Sequence, residues 1–460
     1  MTRQLATPVQ TNYNPPEPIN NTQIKMTTNL IIKYLSTLST CLLVIFLARC
    51  DDSQKQCSEN NNFSNCSSDN NSGICLNGNC VELTPCNGNC NNNLYFPLPD
   101  TNLRVCHQDS PEGSDGTILC PGQPGNSDCS EVDYCGQDAQ YGWDLHNPPE
   151  ERFKMENGDN SENMVKDRIT GLSWQLCSRG QSGTNCNGTA LTSTWHEAAN
   201  YCEQSTWGGY EDWKLPNRYE LQSIVDYGTT SPAINTEVFI NSPSHFQENY
   251  DMWWIECVWS ASDYHNDTTA AWALMVNSGD ISQGSGLEYH LHDKDASGWP
   301  GCYTRCVRAS NVQQEYRRFI ADNSILEEPI VADRITSLIW QRCSAGQNGS
   351  QCTSDATMTD WKSSLAYCQQ LEWAGIKNWR LPNIQEISSL IDSTYSRPAI
   401  NSEFFPNTPY YGPITHNNAG QYWSSTGRSY NSFALYADFT SGFTHFYKQP
   451  ELRHVRCVSP

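Results

Sequence analysis

Of all the residues in this sequence, two pairs of carboxylates with the same spacing most resemble an acid–base catalytic site. Glu220 is followed six residues later by Asp226, and Glu386 is followed six residues later by Asp392. Two carboxyl groups in different environments can act as a general acid and a general base. Glu220, however, stands three residues after Asn217, which is the spacing of a helix capping box, and the second pair repeats that spacing. We therefore expect these carboxylates to support helix starts rather than catalysis.

A second acidic group could bind calcium through carboxylate oxygens. It comprises Asp280, Glu288, Asp293 and Asp295. Calcium sites in proteins take about six to eight oxygen ligands, and known calcium loops place them at fixed intervals. No such interval is visible here. A solvated acidic loop is therefore the expected state, a calcium site is the alternative, and no other cofactor is indicated.

Cysteine content and net charge limit the cell compartment and the partners. The chain has 22 cysteines, only 10 histidines and no Cys-x-x-Cys pair of the kind that binds zinc. Disulfide bonds in an oxidising compartment are the expected use of so many cysteines, which excludes the cytosol. The formal charge is −22, and such a polyanion repels nucleic acid.

An internal duplication provides the elements that would position these residues. At an offset of 166 residues, the stretch from Val165 to Phe239 matches a second copy without gaps. The matching segments include Asp167-Arg-Ile-Thr170 and Asp333-Arg-Ile-Thr336, Trp174-Gln175 and Trp340-Gln341, Leu215-Pro-Asn217 and Leu381-Pro-Asn383, and Arg305-Cys-Val307 and Arg456-Cys-Val458. Such self-similarity indicates two tandem domains of the same fold.

Each copy is predicted to be an α+β unit. In the first copy, a helix over residues 195–202 follows Ser193 or Thr194 as its cap, and a second helix follows Asn217. The recurrent tryptophans suit core packing better than a ligand platform, because their spacing is the same in both copies. Short alternating runs then predict antiparallel strands near residues 258–260, 271–276 and 305–308.

Parity and repetition suggest the disulfide pairing. The second copy has only four cysteines, which allow one local and one long bridge, and the first copy has an additional pair. We expect the pairs Cys177–Cys186, Cys202–Cys306, Cys257–Cys302, Cys343–Cys352 and Cys368–Cys457.

An insertion distinguishes the first copy from the second. Between its matched phenylalanine and cysteine, the first copy is 15 residues longer. The insertion region carries Trp253, Trp254 and Trp299, which we take as the preferred ligand-contact residues.

The N-terminal part is predicted to be an export signal followed by a tether. An apolar run over residues 35–48 ends just before Cys50, which resembles the bacterial lipoprotein signal in which the cysteine receives lipid. An uncleaved anchor is the alternative. Residues 1–25 are typical of an over-extended start, with Met26 as the initiator.

We accordingly divide the chain into segments with different predicted roles. They are residues 1–49 (start and lipoprotein-type signal), 50–94 (Cys- and Asn-rich stalk), 95–164 (a small lead-in module with cysteines), 165–310 (first copy) and 331–460 (second copy), with a connector at 311–330.

The combined motifs resemble the Lcl C-terminal domain, a bacterial domain named after the C-terminus of the Legionella collagen-like adhesin. The resemblance covers residues 165–309 and 331–459, through Asp-Arg-Ile-Thr-x-Leu-x-Trp-Gln, Leu-Pro-Asn-x-x-Glu, Trp-Ser and Arg-Cys-Val. It implies two tandem C-type lectin-like domains, disulfide-rich, after the Cys-rich N-terminal stalk.

The resemblance implies adhesion or ligand recognition at the cell surface, because the best-known member is a surface adhesin. Glycans or extracellular matrix proteins are the expected partners. We expect a non-catalytic lipoprotein of the outer membrane or cell surface that contacts the membrane only through its N-terminal lipid. A structural envelope protein without a soluble ligand is the alternative.

An enzyme similar to formylglycine-generating enzymes is a third hypothesis. Their Arg-Leu-Pro-x-x-x-Glu stretch is similar to residues Arg380 to Glu386. Such chemistry requires free catalytic cysteines, whereas every cysteine of the two copies has an expected disulfide partner. The enzyme reading is therefore the least favoured.

Overall fold

The computed structural model describes residues 65–68, 71–76, 79–82, 97–108, 117–120, 134–141, 149–243, 257–264, 267–276, 278–279, 281–282, 294–295, 301–309, 318–410, 419–428 and 432–460. Several predicted residues lie outside these ranges, namely Cys50, Trp253, Trp254, Trp299, Asp280, Glu288 and Asp293. Within these ranges, no helix combines the length and apolar character needed to span a bilayer.

The chain divides into two compact units, Met1–Leu83 and Thr84–Pro460. The first unit contains a three-stranded antiparallel sheet in the segment predicted as a stalk. Its strands are β1 (Asn65–Ser68), β2 (Asn71–Leu76) and β3 (Asn79–Glu82).

The second unit opens with the lead-in module. Its described elements are the antiparallel strands β4 (Val105–His107) and β5 (Thr117–Leu119) and the short helices α1 (Asp138–Tyr141) and α2 (Pro149–Arg152). A disulfide bond between Cys106 and Cys120 joins the two strands at a Cα–Cα distance of 5.0 Å.

The first repeat follows as two small sheets with two helices of more than one turn. The elements are β6 (Phe153–Glu156), β7 (Met164–Asp167), β8 (Leu172–Gln175), β9 (Thr192–Ser193), α3 (Trp195–Glu203), α4 (Arg218–Ser223), β10 (Cys257–Tyr264), β11 (Asp267–Met275), β12 (Ile281–Ser282), β13 (Cys302–Tyr303) and β14 (Val307–Ala309). The sheet orders are β14-β8-β7-β6 and β12-β11-β10-β13-β9.

The second repeat has the same architecture. Its elements are β15 (Phe319–Asp322), β16 (Ile330–Asp333), β17 (Leu338–Gln341), β18 (Met358–Thr359), α5 (Trp361–Gln370), α6 (Ile384–Ser389), β19 (Gln421–Gly427), β20 (Phe433–Asp438), β21 (Phe443–Lys448), β22 (Arg453–His454) and β23 (Val458–Ser459). The sheet orders are β15-β16-β17-β23 and β18-β22-β19-β20-β21.

The first sheet of each repeat brings the two ends of the repeat together. β8 pairs with β14, and β17 pairs with β23, both antiparallel. The strands that open the two repeats, β6–β8 and β15–β17, were not predicted from the sequence. β6 lies inside the segment expected to be the lead-in module and β15 inside the expected connector, so the first sheet of each repeat begins earlier than the expected boundary.

Buried tryptophans form the centre of each repeat. Trp174 and Trp259 in the first repeat, and Trp340 and Trp423 at the equivalent positions of the second, are almost fully buried. Replacing a core tryptophan with alanine typically costs about 3–5 kcal/mol of stability. The repeated spacing therefore reflects packing, in agreement with the sequence-based interpretation.

Five disulfide bonds link the same pairs of cysteines that parity and repetition suggested. They are Cys177–Cys186, Cys202–Cys306, Cys257–Cys302, Cys343–Cys352 and Cys368–Cys457. In each repeat the longest bridge ties the first long helix, α3 or α5, to the residue just before the last strand.

The two repeats pack through α4 and α6. The Tyr219 hydroxyl donates a hydrogen bond to the Ile391 carbonyl, and the Gln385 amide donates to the Gln222 carbonyl at 2.8 Å. Residues 219 and 385 are equivalent positions at the 166-residue offset. Each repeat therefore uses the same position of its second helix to bind the other, and β12 lies beside β21.

Candidate functional site

The carboxylates that most resembled an acid–base site cap the second helix of each repeat. The Asn217 side chain accepts hydrogen bonds from the amides of Tyr219 and Glu220, and the Glu220 carboxylate accepts one from the Asn217 amide at 2.8 Å. Asn383 and Glu386 form the same capping box. The preference for a structural role over catalysis thus agrees with the geometry.

The aspartates that follow these glutamates bind their own turns. The Asp226 carboxylate accepts a hydrogen bond from the Gly228 amide at 2.9 Å, and the Asp392 carboxylate accepts two from Thr394. Burial raises the pKa of Asp226 to about 6. These contacts account for both aspartates without a substrate.

The two capping glutamates differ in their cationic partners. Lys214 contacts Glu220 at 2.7 Å, with 48% of the lysine side chain exposed. Arg380 contacts Glu386 through two nitrogens at 2.5 and 2.6 Å, and both side chains are buried. The first repeat therefore keeps an accessible cation where the second repeat has a buried one.

Asp138 of the lead-in module is buried against the second repeat. Its carboxylate accepts hydrogen bonds from the hydroxyls of Thr101 and Thr426, each at 2.7 Å. Burial, followed by the nearby charge of Asp100, raises the pKa of Asp138 to about 7. Both donors are uncharged. Among the described residues, the hydrogen-bond partners of Asp138 therefore offer its carboxylate no compensating positive charge.

Aromatic rings of the lead-in module extend this contact. Trp361 meets the rings of His107 and Tyr134 edge-on, at centroid distances of 5.6 and 6.0 Å. Tyr141 lies under the Arg380 guanidinium at 5.3 Å. Six of the residues of the second repeat that the module contacts make up what we call the covered face: Trp361, Lys362, Gln369, Arg380, Thr426 and Gly427.

The equivalent residues of the first repeat form an exposed surface, which we call the open face. At offsets of 166 residues in the helices and 164 in β10, its members are Trp195, His196, Glu203, Lys214, Ser262 and Asp263. Each is exposed or half-buried, whereas Trp361, Arg380, Thr426 and Gly427 are buried in the second repeat. The difference arises because the lead-in module covers this face of the second repeat. Its described contacts with the first repeat include a hydrogen bond from the Tyr227 amide to the Thr101 carbonyl at 2.9 Å, which lies outside the open face.

Charged pairs border the open face. Lys294 contacts Asp263 at 2.5 Å and lies 4.4 Å from the centre of the Trp195 ring. His196 contacts Asp295, the one described member of the predicted acidic group, at 3.4 Å. Among the residues that the structure describes, no cluster of three or more His, Cys, Asp or Glu could hold a metal.

Sequence reasoning missed two buried ion pairs that anchor the first sheets. Arg152 contacts Asp167 at 2.8 Å, and Arg318 contacts Asp333 at 2.5 Å. A signal was available, because Arg152-Phe153 and Arg318-Phe319 match at the same 166-residue offset. The role of Asp138 had no such signal, since nothing in the duplication repeats it.

This geometry defines a duplicated, disulfide-bonded domain built from small β-sheets and few helices. Residues 163–308 and 329–459 each match the Lcl C-terminal domain. The chain therefore belongs to the Lcl C-terminal domain family and carries two tandem copies. A search of curated proteins found no match to the chain.

Proposed function

We propose that this protein is a cell-surface lipoprotein that uses its tandem modules for adhesion or ligand recognition and catalyses no reaction. Family membership suggests a surface or adhesin-like protein. The observation that carries the proposal is the open face. One of two equivalent faces is covered within the chain, whereas the other leaves the Trp195 ring half-buried and the Lys214 ammonium accessible.

A C-type lectin-like fold for each module is part of the proposal. It is supported by the pairing of the first and last strands and by the bridge from the first long helix to the last strand. The insertion with Trp253, Trp254 and Trp299 stays a proposed contact region.

Export and lipidation at Cys50 are likewise proposals. The disulfide bonds of both repeats support an oxidising compartment, and the apolar run before Cys50 supports a lipoprotein signal. Glycans and extracellular matrix proteins are the proposed partners, and calcium would bridge the acidic protein to anionic sugars.

The test is a glycan and matrix-protein binding array probed with the full chain, with calcium and with a chelator. Saturable binding to a defined class of ligand is expected. Loss of binding in the chelator would assign a role to calcium. If no ligand binds under either condition, the protein is better described as a structural envelope component, and the recognition proposal fails.

Two features of the repeats disfavour a catalytic role. Arg380 and Glu386 of the Arg-Leu-Pro-x-x-x-Glu stretch are buried against each other. All described cysteines of the two repeats are disulfide-bonded. We expect a count of zero reactive thiols in the native repeats; two free thiols there would reopen the enzyme reading.

A further inference from the structure

We propose that the open face binds a polypeptide segment that presents a carboxylate to Lys214 and Ser262 and an aromatic ring to Trp195. The inference rests on the recognition function proposed above and names the chemical class of the partner. It is drawn from the second repeat, where the chain itself supplies such a segment.

The covered face shows how the segment is held. Within residues 134–141, Tyr134 meets Trp361, Asp138 accepts a hydrogen bond from Thr426, and Tyr141 lies under Arg380. A ring, a carboxylate and a second ring thus bind a tryptophan, a hydroxyl and a cation in one short stretch of chain.

The open face retains each of these binding groups. Trp195 replaces Trp361, Ser262 replaces Thr426, and Lys214 replaces Arg380. The hydroxyl is in place, because Ser262 accepts a hydrogen bond from the main-chain amide of Arg218 just as Thr426 does from Ile384. The scaffold around the open face therefore repeats that of the covered face, but among the described residues the open face carries no counterpart of residues 134–141.

One substitution excludes the lead-in module of a second copy as the partner. Gly427 of the covered face lies so close to His107 that an added Cβ would be 2.3 Å from its ring. The open face has Asp263 at this position, held by Lys294 at 2.5 Å. A segment with a ring placed like that of His107 would collide there. The partner is therefore a different polypeptide, whose ring meets Trp195 edge-on as Tyr134 meets Trp361 and does not reach the position of Asp263.

Charge favours a carboxylate as the polar anchor. Lys214 binds Glu220 yet stays half-exposed, so its ammonium can also donate a hydrogen bond to a second anionic group. Glu203 and Asp263 on the same face disfavour a densely sulfated sugar, because several sulfates would meet like charges there. A single carboxylate within a peptide avoids that repulsion.

The probe for this site is a fluorescent octapeptide with the sequence of residues 134–141 and Cys135→Ser. It carries Tyr134, Asp138 and Tyr141 but lacks His107, so it avoids Asp263. Binding to the full chain is measured by fluorescence anisotropy. Saturable binding is expected, and Lys214→Gln and Trp195→Ala should each weaken it about tenfold, which corresponds to about 1.4 kcal/mol. Replacing the aspartate of the probe with asparagine should have a similar effect.

Two controls separate site loss from unfolding. Lys377→Gln removes another exposed lysine, which contacts Glu372 in the second repeat, and should leave binding unchanged. Near-ultraviolet circular dichroism should show that Lys214→Gln keeps its native packing, so this variant stays informative even if Trp195→Ala unfolds.

The outcomes are distinct for the two proposals. No saturable peptide binding, or binding that is unaffected by Lys214→Gln, overturns the assignment of the open face. If the array detects a glycan or a matrix protein while the peptide fails, the recognition function stands and this inference falls. A sulfated glycan that requires Lys214 would also overturn the assignment, since the face would then bind sugar.

Discussion

The guanidinium of Arg218 lies over the indole of Trp272, 4.3 Å from the ring centroid. Arg218 is fully buried where the first repeat meets the second, close to the Gly442 turn. Among the described residues, none of its three guanidinium nitrogens has a hydrogen-bond partner. Burial accordingly lowers the pKa of Arg218 to about 10. The second repeat has Ile384 at the same position, so the fold accepts an apolar side chain there.

Replacing this arginine should stabilise the protein. Arg218→Met removes a buried cation without hydrogen bonds while keeping an unbranched chain of similar length. We expect the free energy of unfolding to rise by about 1 kcal/mol or more, within the range found for apolar replacement of buried charges. Urea unfolding measures the change. The matched control is Arg152→Met, which leaves the Asp167 carboxylate buried without its ion pair and should destabilise by about 3–5 kcal/mol. A less stable Arg218→Met would mean that the cation–π contact outweighs desolvation.

The buried carboxyl of Asp138 should make stability depend on pH. Its pKa is raised from 3.8 to about 7, so the folded state binds a proton that the unfolded state releases between these values. The free energy of unfolding therefore falls by roughly 4 kcal/mol at most as pH rises from about 4 to 7, and it levels off at higher pH.

Asp138→Asn should remove this component and be more stable than the wild type at about pH 8. Thermal unfolding from about pH 5 to 8 provides the comparison. Asp212→Asn is the control, because the hydrogen bond from Arg308 lowers the pKa of the Asp212 carboxyl and moves its titration below that window. A wild-type slope that persists in Asp138→Asn would assign the pH dependence to another group.

The two capping glutamates should respond differently to the same substitution. Glutamine can still bind the cap amide, so Glu→Gln tests the ion pair rather than the capping box. Glu386→Gln leaves the Arg380 cation buried and should cost about 3–5 kcal/mol. Glu220→Gln should cost at most about 1 kcal/mol, because Lys214 is half-exposed. Chemical denaturation of both variants gives the comparison, and equal losses would show that burial does not control the ion pair.

The long and short disulfides should differ in their contributions. The Cys202–Cys306 bridge spans 104 residues and the Cys177–Cys186 bridge spans 9. In the chain-entropy model, the loops contribute about 5 and about 3 kcal/mol. The double alanine variants should therefore differ by about 2 kcal/mol in unfolding free energy. The equivalent pairs, Cys368–Cys457 and Cys343–Cys352, provide an independent repetition of the test.

Local signals explain what the sequence could predict. The Asn217 and Glu220 spacing describes a helix start within four residues, and the repetition of cysteines in two copies left few pairings open. The contacts of Asp138 could not be predicted from the sequence, because its partners Thr101 and Thr426 lie 37 and 288 residues away along the chain. The strands of the first sheets were missed for a related reason. The strand Ile330–Asp333, for example, is buried along its whole length and opens with three apolar residues in a row, so it lacks the polar alternation that marks a half-exposed strand.

The position of β12 beside β21 has a consequence for a single copy of the domain. Each is the outermost described strand of its sheet. The outer strand of a sheet carries unpaired amide and carbonyl groups that readily add a strand from another molecule. In the tandem protein these two edge strands lie against each other within one chain. A repeat expressed alone would expose its edge strand to other molecules, so we expect it to aggregate more readily than the whole protein.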